Sequence, residues 1–385
     1  MKIKIKKNEL LWLALVLLAL AVVFSPIYYQ NIFVHNFNDY PAHIGYVESL
    51  ARGEEIPGFV LSHPLWQYLV LFAAKLPKIH FKSGALLVTL FSTLVLGLVT
   101  FYYLRDLFLK HKNVKSLLLT IGLLITTPLF FLYGKDALQY LGYIGITTYH
   151  NSTVILLKPI ALLSFLIGLR VFGYKKNPLW MIAAAFVLSV LSPLAKPNYV
   201  LCILPALGIF TVIYWLQKKD LDWKLLIIGF FIPSVGVLVW QFLLTYTSNE
   251  PGIIFAPFGV WKAYSEYLLP KFLLSIWFPL LVSLVYFNEA RKDKSMLFAW
   301  LNFAFGLFFT YFLAEDGARF IHGNFGWGGE ITLLILMIVN LGFLLKKLAA
   351  DKIRKNWVLL IVGFMPHVIF GLIYYVYCFS NNTFF

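Results

Sequence analysis

The sequence predicts an all-α, polytopic transmembrane bundle, and three observations carry that prediction. The chain has 385 residues, of which 61% are hydrophobic and 13% charged. A soluble domain carries about 25% charged residues. The apolar residues come in repeated runs of about 20, the length that crosses a bilayer as a helix. The runs are continuous rather than alternating, which selects helices over a barrel. Finally, Lys and Arg number 32 against 17 Asp and Glu, and they gather in alternate short loops, as the positive-inside rule requires. The net charge of +15 is then topology and contact with anionic lipid. It implies no nucleic-acid partner.

The N-terminal "MKIKIKKNELLWLALVLLALAVVFSPIYYQ" has the basic start and apolar run of a secretory signal, but no small-x-small cleavage site comes after it. It reads as a retained first span with its lysines in the cytoplasm. Eleven spans are expected, at about 10–27, 84–104, 117–133, 153–172, 179–193, 199–216, 225–245, 271–288, 296–313, 330–345 and 357–378, forming a single integral membrane domain over residues 1–385. The even loops then hold Arg105, Lys110, Lys112 and Lys115, then Lys175 and Lys176, then Lys218, Lys219 and Lys224, then Arg291, Lys292 and Lys294, then Lys346 to Lys355. About 22 of the 32 basic residues fall on that cytoplasmic side.

The opposite face receives six of the eight histidines and most of the remaining carboxylates, including Asp136, Glu250, Glu315, Asp316 and Glu330. Chemistry is therefore expected outside. The first outer loop, about 28–83, is the longest. Within it "YPAHIGYVESLARG" predicts a short helix, capped by Asn38 or Asp39, with Pro41 in its first turn and Gly53 at its end. Tyr40, Ile44, Val47 and Ala51 form its expected lipid-facing stripe. "HPLWQYLVLFAAKLP" is too short to span. With Leu65, Leu69, Phe72 and Leu76 on one stripe, and Trp66 and Tyr68 as anchors, it predicts a second helix lying in the membrane plane. A further outer loop is expected at about 314–329. Cys202 and Cys378 lie in apolar runs and suggest neither disulfide nor metal cluster.

Several outer groups are candidates. Arg319, in "AEDGARFIHGNFGWGGE", can grip a phosphate bidentately, and His322 can add a donor; alternatively Arg319 pairs with Asp316 on the surface. Lys158 in "YHNSTVILLKP" and Lys196 in "SPLAKPN" interrupt apolar sequence, where an ionisable group is a functional candidate, with snorkelling as the other reading. His150 and Asn151 precede a span and are candidates to bind sugar hydroxyls. Trp327 suits either stacking on a sugar or a tight loop. His35, Asp39 and His43 have the spacing of metal ligands on one helix, but Pro41 argues against one continuous helix; no metal or other cofactor is indicated.

Asp39 carries the sharpest question, because its other reading is a helix cap. The loop beginning "NDYPAH", with two short helices opening at "DYPAH" and "SHPLW" just after the first span, resembles the C-type (GT-C) membrane glycosyltransferases. The likeness covers about the first 65 residues and the topology. It implies an outer-face enzyme that takes a sugar from a polyprenyl phosphate and transfers it to an envelope glycan, lipid or protein. It also implies that Asp39 is the catalytic acid residue, with His43 beside it and His63-Pro64 as a further motif residue pair. One departure is that Asn38, not a second acid, precedes Asp39. The chemistry accepts a single carboxylate. A glycosidase uses two because its leaving alkoxide must be protonated. A prenyl phosphate leaves readily, so one base for the attacking hydroxyl and one cation for the phosphate suffice, with inversion at the anomeric carbon. The competing readings are a glycan polymerase or ligase, a transporter or lipid flippase, which would favour broken helices and an inverted repeat, and an envelope acyltransferase using His43 or His63.

Overall fold

In lipid a backbone must satisfy its own polar groups, and the apolar runs accordingly fold as helices. The computed structural model describes residues 7–107, 112–132, 134–136, 140–246, 252–350 and 354–381. Lys2, Lys4, Lys6, Lys110, Lys352 and Glu250 lie outside these described residues.

The first helix, α1 (Lys7–Tyr29), runs on through a π turn at Gln30–Val34. The long first loop then supplies α2 (Tyr40–Arg52), the single turn α3 (Gly58–Leu61) and α4 (Leu65–Lys75), before α5 (Phe81–Leu107). Gly53 closes α2 at φ 74°, a left-handed position that glycine adopts without strain. Two expectations about these helices need correction. Tyr40, Ile44 and Val47 are buried against protein rather than lipid: the Tyr40 ring meets Trp66 edge to face. Trp66 is no interfacial anchor, being fully buried. Phe72, Leu76 and Tyr68 form the exposed side of α4 instead. An apolar stripe says which face is greasy, not whether lipid or protein will cover it.

The next helix, α6 (Asn113–Ile125), stops eight residues before the expected 133. Pro128 disfavours helix in the residue before it, and Thr126 turns extended at φ −56°, ψ 143°. Beyond it the described residues up to Asn151 are non-helical, and residues 140–151 are almost all buried, where an outer loop was expected. Irregular backbone at such depth persists only where protein satisfies it. Here the Thr147 hydroxyl donates to the Thr126 carbonyl (2.6 Å), and Lys158 Nζ donates to the Ile146 carbonyl (2.8 Å).

The chain continues through α7 (Ser152–Gly168), α8 (Leu179–Ala195), α9 (Asn198–Leu216) and α10 (Ile232–Tyr246). Then come the short α11 (Gly259–Lys262), α12 (Leu268–Ser275), α13 (Trp277–Val285), α14 (Phe287–Ala290), and the long α15 (Lys294–Phe312). The last elements are α16 (Gly326–Ala350), α17 (Arg354–Val358) and α18 (Met365–Ser380). One antiparallel ladder joins β1 (Ile253–Phe255) to β2 (Leu313–Glu315), pairing Ile253 with Glu315 and Phe255 with Leu313.

Eight helices are long and apolar enough to cross a membrane among the described residues. A further pair, α12 and α13, meets that test together but bends by 67° at its break. The apolar helices α6 and α8 are shorter. The protein is thus a membrane-embedded, all-α bundle. Its centre is formed by α7 and α16, the two spans most covered by other protein. Helix α15 lies close on α16 because small residues meet there: a Cβ at Gly306 would overlap the Thr332 hydroxyl and the Gly328 carbonyl. Small residues permit such close approach, and dispersion between the backbones then holds the pair in lipid.

Candidate functional site

Asp39 stands at the N-cap position of α2, yet its side chain makes no cap bond. Asn38 does the local work: its Oδ1 accepts from the Tyr40 N–H (2.9 Å), and its Nδ2 donates to the Asn31 carbonyl (2.9 Å). The Asp39 carboxylate reaches across the fold instead, where its Oδ2 accepts from Asn151 Nδ2 at 2.6 Å. Asn151 is itself the N-cap of α7, accepting at Oδ1 from the Val154 N–H (3.0 Å) and the Thr153 hydroxyl (3.0 Å). One residue thus starts a central helix and orients a carboxylate 112 positions away. The Asp39 N–H donates to the His150 carbonyl (3.3 Å), adding a second tie between the two segments.

Lys196 occupies the linker between α8 and α9. Its ammonium lies 5.3 Å over the Trp327 ring and donates to the Thr153 hydroxyl at 3.3 Å. Asp39, Glu315 and Glu330 attract it from three other parts of the chain, and Arg319 opposes it. Burial pulls its pKa down to about 8, against the pull of those carboxylates. Lys158, a turn inside α7, is spent differently: besides the Ile146 carbonyl it donates to the Thr148 hydroxyl (3.1 Å), so it pins the non-helical segment. A lone ammonium at helix-centre depth costs about 3 kcal/mol, which these acceptors offset.

Arg319 pairs with Glu315 (2.8 Å), not with Asp316, and stacks 4.9 Å over Phe59. Asp316 caps its own turn by accepting from the Gly317 N–H. Glu315 reaches this position as the last residue of β2, and its second oxygen accepts from Asn324 Nδ2. Glu330, just past the first turn of α16, is buried near Lys158 and Lys196, and its Oε2 has no hydrogen-bond partner among the described residues. The histidines divide. His43, His63 and His150 sit among these charges, and burial holds each imidazole below its ordinary range, His43 and His150 at about 4. His322 is exposed at the end of a 3-10 turn, away from them, with no hydrogen bond to the group.

The fold therefore gathers Asp39, His43, His63, His150, Asn151, Lys158, Lys196 and Arg319 at one end of the bundle and leaves His322 at its margin. Glu315, Glu330 and Gln67 were not singled out from the sequence. For the acids a signal existed, since a carboxylate on an apolar run is a functional candidate. For Gln67, a lone amide in an apolar helix was the signal. No group of three His, Cys, Asp or Glu among the described residues is disposed to hold a metal ion. A separate cavity of about 880 Å³ lies between α12 and α15, lined by Phe258, Leu269, Phe272, Leu307, Tyr311 and Phe312, with Lys262 and Glu266 also on its wall. It contains none of the gathered residues. The chain matches no family model and no curated protein.

Proposed function

We propose that the protein is a membrane glycosyltransferase that uses a polyprenyl-phosphate sugar on the outer face. The observation that carries this reading is the Asp39 carboxylate. It is released from capping, aimed by Asn151 through one oxygen, and open at Oδ1 among the described residues. The cation Lys196 lies near it, close enough to feel the carboxylate's charge. In the reaction, the acceptor hydroxyl oxygen bonds to the anomeric carbon from the face opposite the phosphate. The bond from that carbon to the phosphate oxygen breaks with its electron pair, releasing prenyl phosphate. The hydroxyl proton passes to Asp39 Oδ1. Lys196 offsets the phosphate charge, and Arg319 borders the same space. No metal enters this scheme.

The residues gathered here come from the first loop, the segment before α7, the α8–α9 linker and the segment between α15 and α16. In an eleven-span chain with its N-terminus in the cytoplasm, all of these are odd-numbered, outer loops. That agreement supports the sidedness, and with it an active site on the extracytoplasmic side of the cell membrane. The acceptor is a glycan, lipid or protein hydroxyl.

The test is Asp39→Asn in the purified protein in liposomes, supplied with a panel of prenyl-phosphate pentoses and hexoses. Asn keeps an oxygen that can accept from Asn151 Nδ2 but accepts no proton. Release of prenyl phosphate should fall roughly 10²–10⁴-fold while the fold and donor binding persist. An Asn variant with undiminished transfer ends this reading.

The broken pair α12–α13 favours a second reading, a lipid flippase or transporter, because discontinuous helices are a transporter device. In that case the Asn variant would still move a prenyl-phosphate lipid between leaflets, and the wild type would release no prenyl phosphate.

A further inference from the structure

Four residues of α4 are buried, Trp66, Gln67, Val70 and Ala74, and Gln67 is the amide among them, fully buried. A buried amide is costly without a partner. Gln67 finds one across the gap between α4 and α2, where its Nε2 lies 2.9 Å from His43 Nδ1. The His43 ring is also wedged edge to face against Trp66 (5.7 Å between centroids) and Tyr46 (6.3 Å).

We infer that Gln67 holds His43 as the neutral imidazole with its proton on Nε2, so that His43 offers the site an N–H donor and not a second base. An amide nitrogen has only protons to give, so the ring nitrogen it meets must carry the lone pair. The proton then sits on the other nitrogen, and imidazolium, which donates from both, is disfavoured. Reversing the amide would let its oxygen accept from Nδ1–H but would strand both amide N–H groups in the core. As placed, Oε1 and one amide N–H are left over, one orphaned N–H against two, and an under-satisfied carbonyl is tolerated better than an orphaned N–H. The charged and titratable groups that act on His43 are Asp39 one turn earlier, Lys196 from the α8–α9 linker and His63 ahead of α4. Asp39 favours the charged ring and Lys196 disfavours it. Burial is the largest influence and keeps it neutral. With Nδ1 pinned to the core, Nε2–H faces away from Gln67 and is left to donate to an acceptor oxygen. Under the transferase reading, on which this last step rests, that oxygen belongs to the donor's phosphate or sugar. Gln67 is then a positioning residue.

The experiment uses the full chain in nanodiscs with ¹⁵N-labelled histidine, and assigns His43 by its loss in His43→Asn. Should that variant fail to fold, the assignment uses the resonance moved by Gln67→Glu. Expected between about pH 5 and 8 is one unprotonated nitrogen, Nδ1, and one protonated nitrogen, Nε2. Gln67→Glu puts an acceptor where a donor stood. It should move the proton to Nδ1 or charge the ring, add a titration near neutrality to the rate profile, and slow transfer at least tenfold. Gln67→Met should free the ring without charging it. A protonated Nδ1 in the wild type, or a tautomer unmoved by Gln67→Glu, overturns the inference. The expected tautomer in a protein that uses no prenyl-phosphate sugar would sink the transferase reading and leave this inference standing.

Discussion

Two buried lysines in this chain carry the same charge to different ends. Lys271, in α12, is fully buried and fully employed: Asp136 Oδ2 lies 2.6 Å from its Nζ, the Leu141 carbonyl accepts at 2.7 Å, and the Tyr143 ring lies 5.0 Å away. Asp136 in turn accepts from the Ser265 hydroxyl at 2.8 Å. Lys196 has only a hydroxyl at 3.3 Å and an aromatic face at 5.3 Å among the described residues. Its carboxylate neighbours act through space, and none of them makes an ion pair with it within 4.0 Å. The first lysine closes a structural knot between the non-helical segment and the broken helix. The second has bonding capacity that the described residues leave unused. Depth alone does not mark a functional charge; what matters is how much of its bonding capacity the fold has already used.

The largest expected effect breaks that comparison at Lys271. Lys271→Met breaks a buried ion pair by removing its cation, which costs about 3–5 kcal/mol. Thermal unfolding in detergent should show a strongly lowered midpoint, and an unchanged one would mean that the pair is dispensable. Lys196→Met should do the reverse. It removes a poorly satisfied buried charge, so the midpoint should hold or rise, while kcat/KM for the lipid donor falls. A charge-assisted bond of about 1.5–3 kcal/mol corresponds to a loss of about ten- to a hundredfold. A stability loss matching that of Lys271→Met would erase the distinction.

The pH dependence sharpens it. The Lys196 pKa is lowered in the folded protein, to about 8. Between that value and its ordinary one, the unfolded chain binds the proton and the folded chain does not. The cost of burying the charge is therefore present at neutral pH and relieved as pH rises through about 8. Over the same interval the cation disappears, so donor KM should climb above about pH 8 while a Lys196→Arg profile stays flat. A flat wild-type profile would exclude Lys196 from phosphate binding. The smallest effect belongs to His322, exposed and outside the gathered group. His322→Ala should change stability by no more than about 0.5 kcal/mol and leave transfer unaltered, and a larger loss of transfer would place it in the site after all.

The sequence by itself determined the class. Apolar runs of membrane-crossing length have one backbone solution in lipid, and composition was enough to read it. The end of α2 was equally legible, because Gly53 suits a left-handed position that other residues resist. The broken pair α12–α13 was not. The stretch 271–288 is predominantly apolar across the break, and its 67° bend leaves no mark in hydropathy. Candidate residues such as Asp39, Lys196 and Arg319 were visible because polar groups in a greasy chain need a reason. Their partners were not. Arg319 had Asp316 three residues away, yet it took Glu315, because β-pairing with Ile253 fixes Glu315 in place while Asp316 turns to its own backbone. Asp39 could be read as a cap or as a base, and only the packing of α7 against the first loop brought Asn151 to it. The stripe on α2 told which side was apolar, and tertiary packing decided that Trp66 would cover it. Periodicity and composition act through local chain geometry, which neighbours in sequence specify. A buried polar group is satisfied by whatever the fold brings within about 3 Å, and that partner is set by packing between segments distant along the chain.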